Sequence, residues 1–289
     1  MGFKKPEIPE DITLLQLVKY KRNELQNILG KCLHMEQYFH RYLLIGGFPE
    51  IALLNDVPNG QRFLRDDVID RVLKRDMTVM YGVRNILQLE QVFIYLCLNT
   101  GQIIVKEKIS SELEANSTTV ENHIVNLELA NLIYRSPMID ITGKKVLKQK
   151  YKIYMTDPAI RNAVFLKGEE VLASAVEMGL LVETNVFKHI FSHYYPEKPQ
   201  IGYWHEAKTG KEVDIVVNLP YEKYLAIEVK YRENPRISPD DGICKFSKER
   251  LPEASFIITK KPEHIGNISV GNGINLFMIP AFLFSYILG

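Results

Sequence analysis

The chain has 289 residues, 46% of them hydrophobic, and its charge is nearly balanced, with 36 Lys and Arg against 35 Asp and Glu for a net +1. That length suffices for two domains with cores of their own, and the balance excludes a global polycation, so any nucleic-acid surface must be a local patch. Cys32, Cys97 and Cys244 stand far apart with no C-x-x-C pair, which argues against zinc and disulfide scaffolds and for a reducing, cytoplasmic setting.

The N-terminus, M-G-F-K-K-P-E-I-P-E, lacks the apolar run of a signal peptide. Residues 11–29 space Ile12, Leu15, Val18, Leu25 and Leu29 as on one helix, with Asp11 as cap and Gly30 as stop. A second helix is predicted over 35–45. Gly46-Gly47 breaks it, and Pro49 suits the first turn of the next. Residues 61–80 read as a further helix, rich in charge.

Residues 88–155 read as helix, helix, helix, hairpin: 89–99, 105–113, 117–133, then two strands turning at D-I-T-G-K (140–144). This is the order of a winged helix-turn-helix. Ser117, Thr118, Thr119, Asn122 and His123 would front its recognition helix, and Lys144, Lys145, Lys148 and Lys150 would stud the wing. Small polar side chains at a helix start suit phosphates or base edges, and wing lysines suit phosphates. The plainer reading is that Ser117 or Thr118 caps the helix and the lysines keep a turn soluble. Glu121 and Glu128 on the same helix would repel phosphate.

Downstream, helices near 171–194 and 241–249 and strands at 200–206, 212–218, 224–231, 254–259 and 274–279 predict an α/β unit with a central sheet flanked by helices. The closing apolar run, 276–289, is shorter than the ~20 residues that span a bilayer and is divided by Pro280, so it reads as a strand and a docking helix, with no membrane partner. The chemistry concentrates in E-V-D-I-V-V-N (212–218) and Y-L-A-I-E-V-K-Y (224–231), which read as an antiparallel hairpin. Residues two apart in a strand share a face, so Glu228 and Lys230 point together and Asp214 can reach them from the partner strand. Two carboxylates suit a hard cation such as Mg²⁺, and a neighbouring lysine suits a developing phosphorane charge. The competing reading is a solvated cross-strand pair. Lys208 and Lys211 flank the turn at Thr209-Gly210, where they could touch a phosphate backbone.

Glu183, Y-W-H (203–205), E-V-D (212–214) and E-V-K (228–230), together with G-G-F-P (46–49) and K-I-Y-M-T-D-P (152–158), resemble the C-terminal region of bacterial and archaeal AAA-type ATPases. There a winged helix precedes a PD-(D/E)xK nuclease-like domain. The resemblance runs from about residue 36 to the end. It implies an α+β or α/β chain in three parts: a lid-like helical region (1–85) that adjoins the ATPase in relatives, a winged helix-turn-helix (86–160), and a restriction-endonuclease-like domain with a mixed sheet (161–289). Matched residue by residue, Asp214 and Glu228 are the metal-binding acids, Glu183 is the helix acid completing the shell of Mg²⁺ or Mn²⁺, and Lys230 is the active-site lysine. DNA is the implied substrate, an ATPase the implied partner in cis or in trans, and a homodimer is common among nucleases of this fold. His205 departs from the arginine that relatives often carry after the tryptophan. No G-x-x-x-x-G-K-[ST] occurs, so this chain has no ATP site. The resemblance leaves open a metal-dependent nuclease and a non-catalytic DNA- or protein-binding module. A scaffold without nucleic acid is the third class.

Overall fold

The computed structural model describes residues 5–9, 12–54, 56–139, 150–271 and 273–289. The chain forms two compact units, one of residues 1–40 with 189–289 and one of residues 41–188. This division is coarser than the three parts drawn from the motifs, and it groups the first 40 residues with the C-terminal sheet.

The first helix differs from expectation. Instead of one helix over 11–29 there are two, α1 (Leu14–Leu17) and α2 (Arg22–Cys32). Thr13 and Gln16 form a capping box, with Gln16 N donating to Thr13 Oγ1 (3.3 Å) and Thr13 N to Gln16 Oε1 (2.8 Å). Lys21 N donates to Glu24 Oε2 (2.7 Å), which supplies one half of such a box at the start of α2. These bonds satisfy backbone N–H groups at each helix start, so the chain starts twice. Gly30, the expected stop, lies exposed inside α2, where glycine costs only about 1 kcal/mol. Asp11, the expected cap, lies outside the described residues. Leu14, Leu17, Leu25, Ile28 and Leu29 are buried. Next comes α3 (Met35–Ile45), within which the border at 40/41 falls.

In the 41–188 unit, Gly46 at φ +79° ends α3 and Pro49 opens α4 (Pro49–Leu53), as expected. Asp56 then caps α5 (Val57–Phe63), and the helical path widens to π-type turns over Leu64–Ile69 and Val72–Asp76 before α6 (Met77–Tyr81) ends at Gly82. Leu64, Ile69, Leu73 and Met77 point inward while Asp70 and Lys74 pair outside. After α7 (Ile86–Leu98) come β1 (Ile103–Val105), α8 (Lys106–Glu112), α9 (Ser117–Leu129), β2 (Ile133–Pro137) and β3 (Lys150–Met155). The strands form an antiparallel sheet in the order β1-β3-β2; β1 was not anticipated. Asp157 caps α10 (Pro158–Phe165), and α11 (Ala175–Tyr194) carries the second border.

The other unit resumes with β4 (Gln200–His205), β5 (Glu212–Leu219) and β6 (Lys223–Lys230), then α12 (Gly242–Arg250), β7 (Ala254–Thr259), β8 (Gly266–Val270), β9 (Ile274–Pro280) and α13 (Ala281–Leu288). Its mixed six-stranded sheet runs β4-β5-β6-β7-β9-β8. β4, β5 and β6 are antiparallel neighbours, β6, β7 and β9 run parallel, and β8 returns antiparallel to β9. The central strand β7 is buried throughout and its neighbour β6 is buried at Leu225, Ala226 and Ile227, the pattern of a sheet centre covered on both faces. No helix among the described residues is long and apolar enough to cross a membrane.

Candidate functional site

The predicted hairpin is present and in register. Ile215 pairs with Ile227 in the last pair of the ladder, and Asp214 and Glu228 are the residues that follow on β5 and β6. Residues two apart in a strand share a face, so Glu228 and Lys230 line one side of the sheet. The ladder also carries a bulge: between the pairs Gly202–Val216 and Trp204–Val213, Tyr203 faces both Asp214 and Ile215. A bulge re-aims the side chain it displaces and is common beside active sites. Asp214 Oδ2 accepts a hydrogen bond from Val229 N at 2.9 Å, which fixes the carboxylate at the strand end.

Lys230 is the hinge of the group. Its Nζ lies 3.5 Å from Glu228 Oε1 and 3.1 Å from Asp241 Oδ2. Burial draws its ammonium towards neutrality, but Glu228 and Asp241 together outweigh that and hold it above the ordinary lysine value. Asp241 stands just before α12 and was not singled out in the sequence. No motif spacing marks it, because its place depends on how α12 seats. Gly242 is that seat: a Cβ there would lie 2.0 Å from the backbone oxygen of Glu212. Farther along α12, Phe246 sets its ring edge-on against Trp204 and Tyr224, which ties the helix to the face that carries Glu228.

Among the described residues no group of three or more His, Cys, Asp and Glu side chains is arranged to hold a metal ion. The two carboxylates fit a hydrated Mg²⁺ or Mn²⁺, which keeps several waters and takes one or two protein carboxylates with substrate phosphates. Asp214 Oδ2 accepts from Val229 N and Glu228 Oε1 faces Lys230 Nζ at 3.5 Å, so a metal here would share both carboxylates with these groups.

Glu183 lies in the 41–188 unit. Its Oε1 accepts from Lys152 Nζ (3.2 Å) and Tyr154 OH (2.9 Å), with Lys152 2% exposed, and the neighbouring Thr184 hydroxyl meets that of Thr100 at 3.0 Å. His205 is half-buried opposite Glu212. Lys208 is exposed, and Lys211 is 3.6 Å from Asp240.

On α9, Thr118 and Asn122 face outward and Ser117 and Thr119 are half-buried. His123 is a correction: it is 5% exposed, on the inward face with Val120, Ile124 and Leu127, and its Nε2 meets Gln88 at 3.4 Å. Its position three after Val120 puts it on the apolar stripe. The helix cap is Asn116, whose Oδ1 accepts from Thr118 N at 2.8 Å, rather than Ser117 or Thr118. Glu121 and Glu128 are bound by Arg135, at 3.0 Å and 2.6 Å, and Tyr151 OH donates to Glu121 at 3.2 Å. Lys150 is exposed; Lys144, Lys145 and Lys148 lie outside the described residues.

The sequence matches two family models. Residues 36–170 match one described as Domain of unknown function (DUF8612). No solved structure matches the chain. An uncharacterized protein of Haemophilus influenzae is 26% identical over 163 residues, a stretch that covers 55% of this chain and 40% of that relative. The sheet-bearing part of the chain, residues 178–282, matches the model described as Domain of unknown function (DUF4143), which is commonly found C-terminal to AAA ATPase domains.

Proposed function

We propose that the chain is a metal-dependent phosphodiesterase acting on DNA, in concert with an AAA ATPase in cis or in trans. The observation that supports this reading is that β5 and β6 pair up to Ile215–Ile227, beyond which Asp214 accepts from Val229 N, beside Glu228 and with Lys230 two residues on along the face of Glu228. Asp214 and Glu228 would hold Mg²⁺ or Mn²⁺, whose chemistry when bound is Lewis-acid polarisation of a phosphoryl oxygen. Lys230, kept cationic, would face the negative charge that builds up on the phosphate in the transition state. The unit from α7 to β3 would act as a winged helix. Arg135 pairs with both Glu121 and Glu128 and offsets one of their two charges, which lowers the repulsion those acids would offer a phosphate backbone.

The association of DUF4143 with AAA ATPases favours a second reading, a non-catalytic module that docks DNA or a partner for the motor. One assay separates the two. Supercoiled plasmid and a four-way DNA junction are incubated with Mg²⁺ or Mn²⁺ and the wild type, Asp214→Ala or Lys230→Ala. The nuclease reading expects metal-dependent cutting that falls in both variants, on the order of 10²–10³-fold for Lys230→Ala. Salt-sensitive binding without cutting, equal in all three proteins, would sink it in favour of the module.

A further inference from the structure

We infer that Asp241, outside both sequence elements of the site, is its positioning residue: from the start of α12 it holds the Lys230 ammonium in place beside Glu228. Three observations converge. The Asp241 carboxylate is 3.1 Å from Lys230 Nζ, closer than Glu228 at 3.5 Å. Its own direction is set, since Oδ2 also accepts from Ser238 N at 3.2 Å while its backbone oxygen accepts from Lys245 N at 3.1 Å. The helix behind it cannot slide, because Gly242 lies against the Glu212 backbone and Lys245 pairs with Glu206. A lysine stem has four rotatable bonds, and an ammonium aimed by strand and helix together loses that freedom before any substrate arrives. Asp241 is not a catalytic residue in this scheme; it acts through Lys230. What the held lysine does to DNA rests on the nuclease reading, whereas the hold itself is a property of the fold.

The test is Asp241→Asn in the full chain. Asparagine keeps the size, the acceptor for Ser238 N and a favoured residue before a helix, and removes only the charge facing Lys230. The first readout is the lysine ammonium signal in ¹H–¹⁵N NMR, visible only where the group is held and shielded from exchange, and assigned by its loss in Lys230→Met. The wild type is expected to show that signal and Asp241→Asn to lose it, with an unchanged melting temperature. A wild type without the signal, or an Asp241→Asn protein that retains it, overturns the inference. The second readout is cleavage with Mn²⁺: kcat is expected to fall, up to on the order of 10²-fold, with KM for DNA nearly unchanged. A held signal in a wild type that cuts nothing would support the inference and count against the nuclease reading alone.

Discussion

Two polar clusters, one in each unit, solve opposite problems. In the 41–188 unit a single carboxylate, Asp157, is met by donors on every side: Gly47 N at 3.1 Å, Ala159 N at 2.9 Å and Lys188 Nζ at 2.6 Å, with Tyr42 OH accepting from the same ammonium. This joins the G-G-F-P and D-P motifs, and Asp157 is 4% exposed. In the other unit a single ammonium, Lys230, faces two carboxylates, while a third, Asp214, accepts from the neighbouring Val229 N. The donor-rich cluster clamps the turn at Gly46-Gly47. The acceptor-rich one keeps an excess of negative charge where a cation could join it. Both would look alike in a list of buried charges; their stoichiometry tells them apart.

The largest effect is expected of Asp157→Ala. It leaves the part-buried Lys188 without its carboxylate, and a loss of about 3–5 kcal/mol is expected in denaturant melts. A loss under about 1 kcal/mol would mean that the clasp is surplus. Gly242→Ala probes the other cluster through its seat. Its Cβ would meet backbone rather than a yielding side chain, so about 1–3 kcal/mol of stability should go, together with the ordered Lys230 signal. The variant melting like the wild type would show that α12 can shift at no cost.

Glu177, also in the 41–188 unit, gives that unit a pH dependence. The hydrogen bond from Arg161, helped by Lys167, pulls its carboxyl down to about 2 despite partial burial. A folded value below the unfolded one adds stability that is complete above the ordinary carboxylate range. It is lost as pH falls through that range towards about 2. The gap in stability between wild type and Glu177→Gln should therefore shrink on acidification, and a gap independent of pH would refute the pairing. The smallest effect expected is Thr13→Ala, about 1 kcal/mol at the α1 cap, measured by thermal melting.

Much of the scaffold could be read from periodicity. The hairpin of β5 and β6 was visible because its apolar residues alternate or run continuously, and Gly46 and Pro49 marked a real break. What escaped shares a cause: it depends on contacts distant in sequence or on patterns too short to repeat. β8, G-N-I-S-V, is an edge strand with little apolar signal, and β1 has only three residues. The split between α1 and α2 turns on two side-chain bonds that periodicity ignores. His123 was given to the outward face by its chemistry, although its spacing put it inward. That Asp214, Glu228 and Lys230 sit on adjoining strands was legible from alternation alone. Asp241 was not, because eleven positions and a helix seat separate it from Lys230.

The unit with the candidate site is discontinuous in the chain, built from residues 1–40 and 189–289 around an intervening 41–188. On a ribosome that order matters. The middle unit is complete once residue 188 has emerged, and its contacts close within one continuous stretch. The sheet must wait for the last strand, and its parallel pairs are the slow kind to form. A chain that has emerged as far as residue 188 would thus carry Asp157 already clasped and no assembled hairpin. Arrested nascent chains probed by hydrogen exchange should show protection at Gly47 well before any at Val229, and simultaneous protection would contradict this sequence of events.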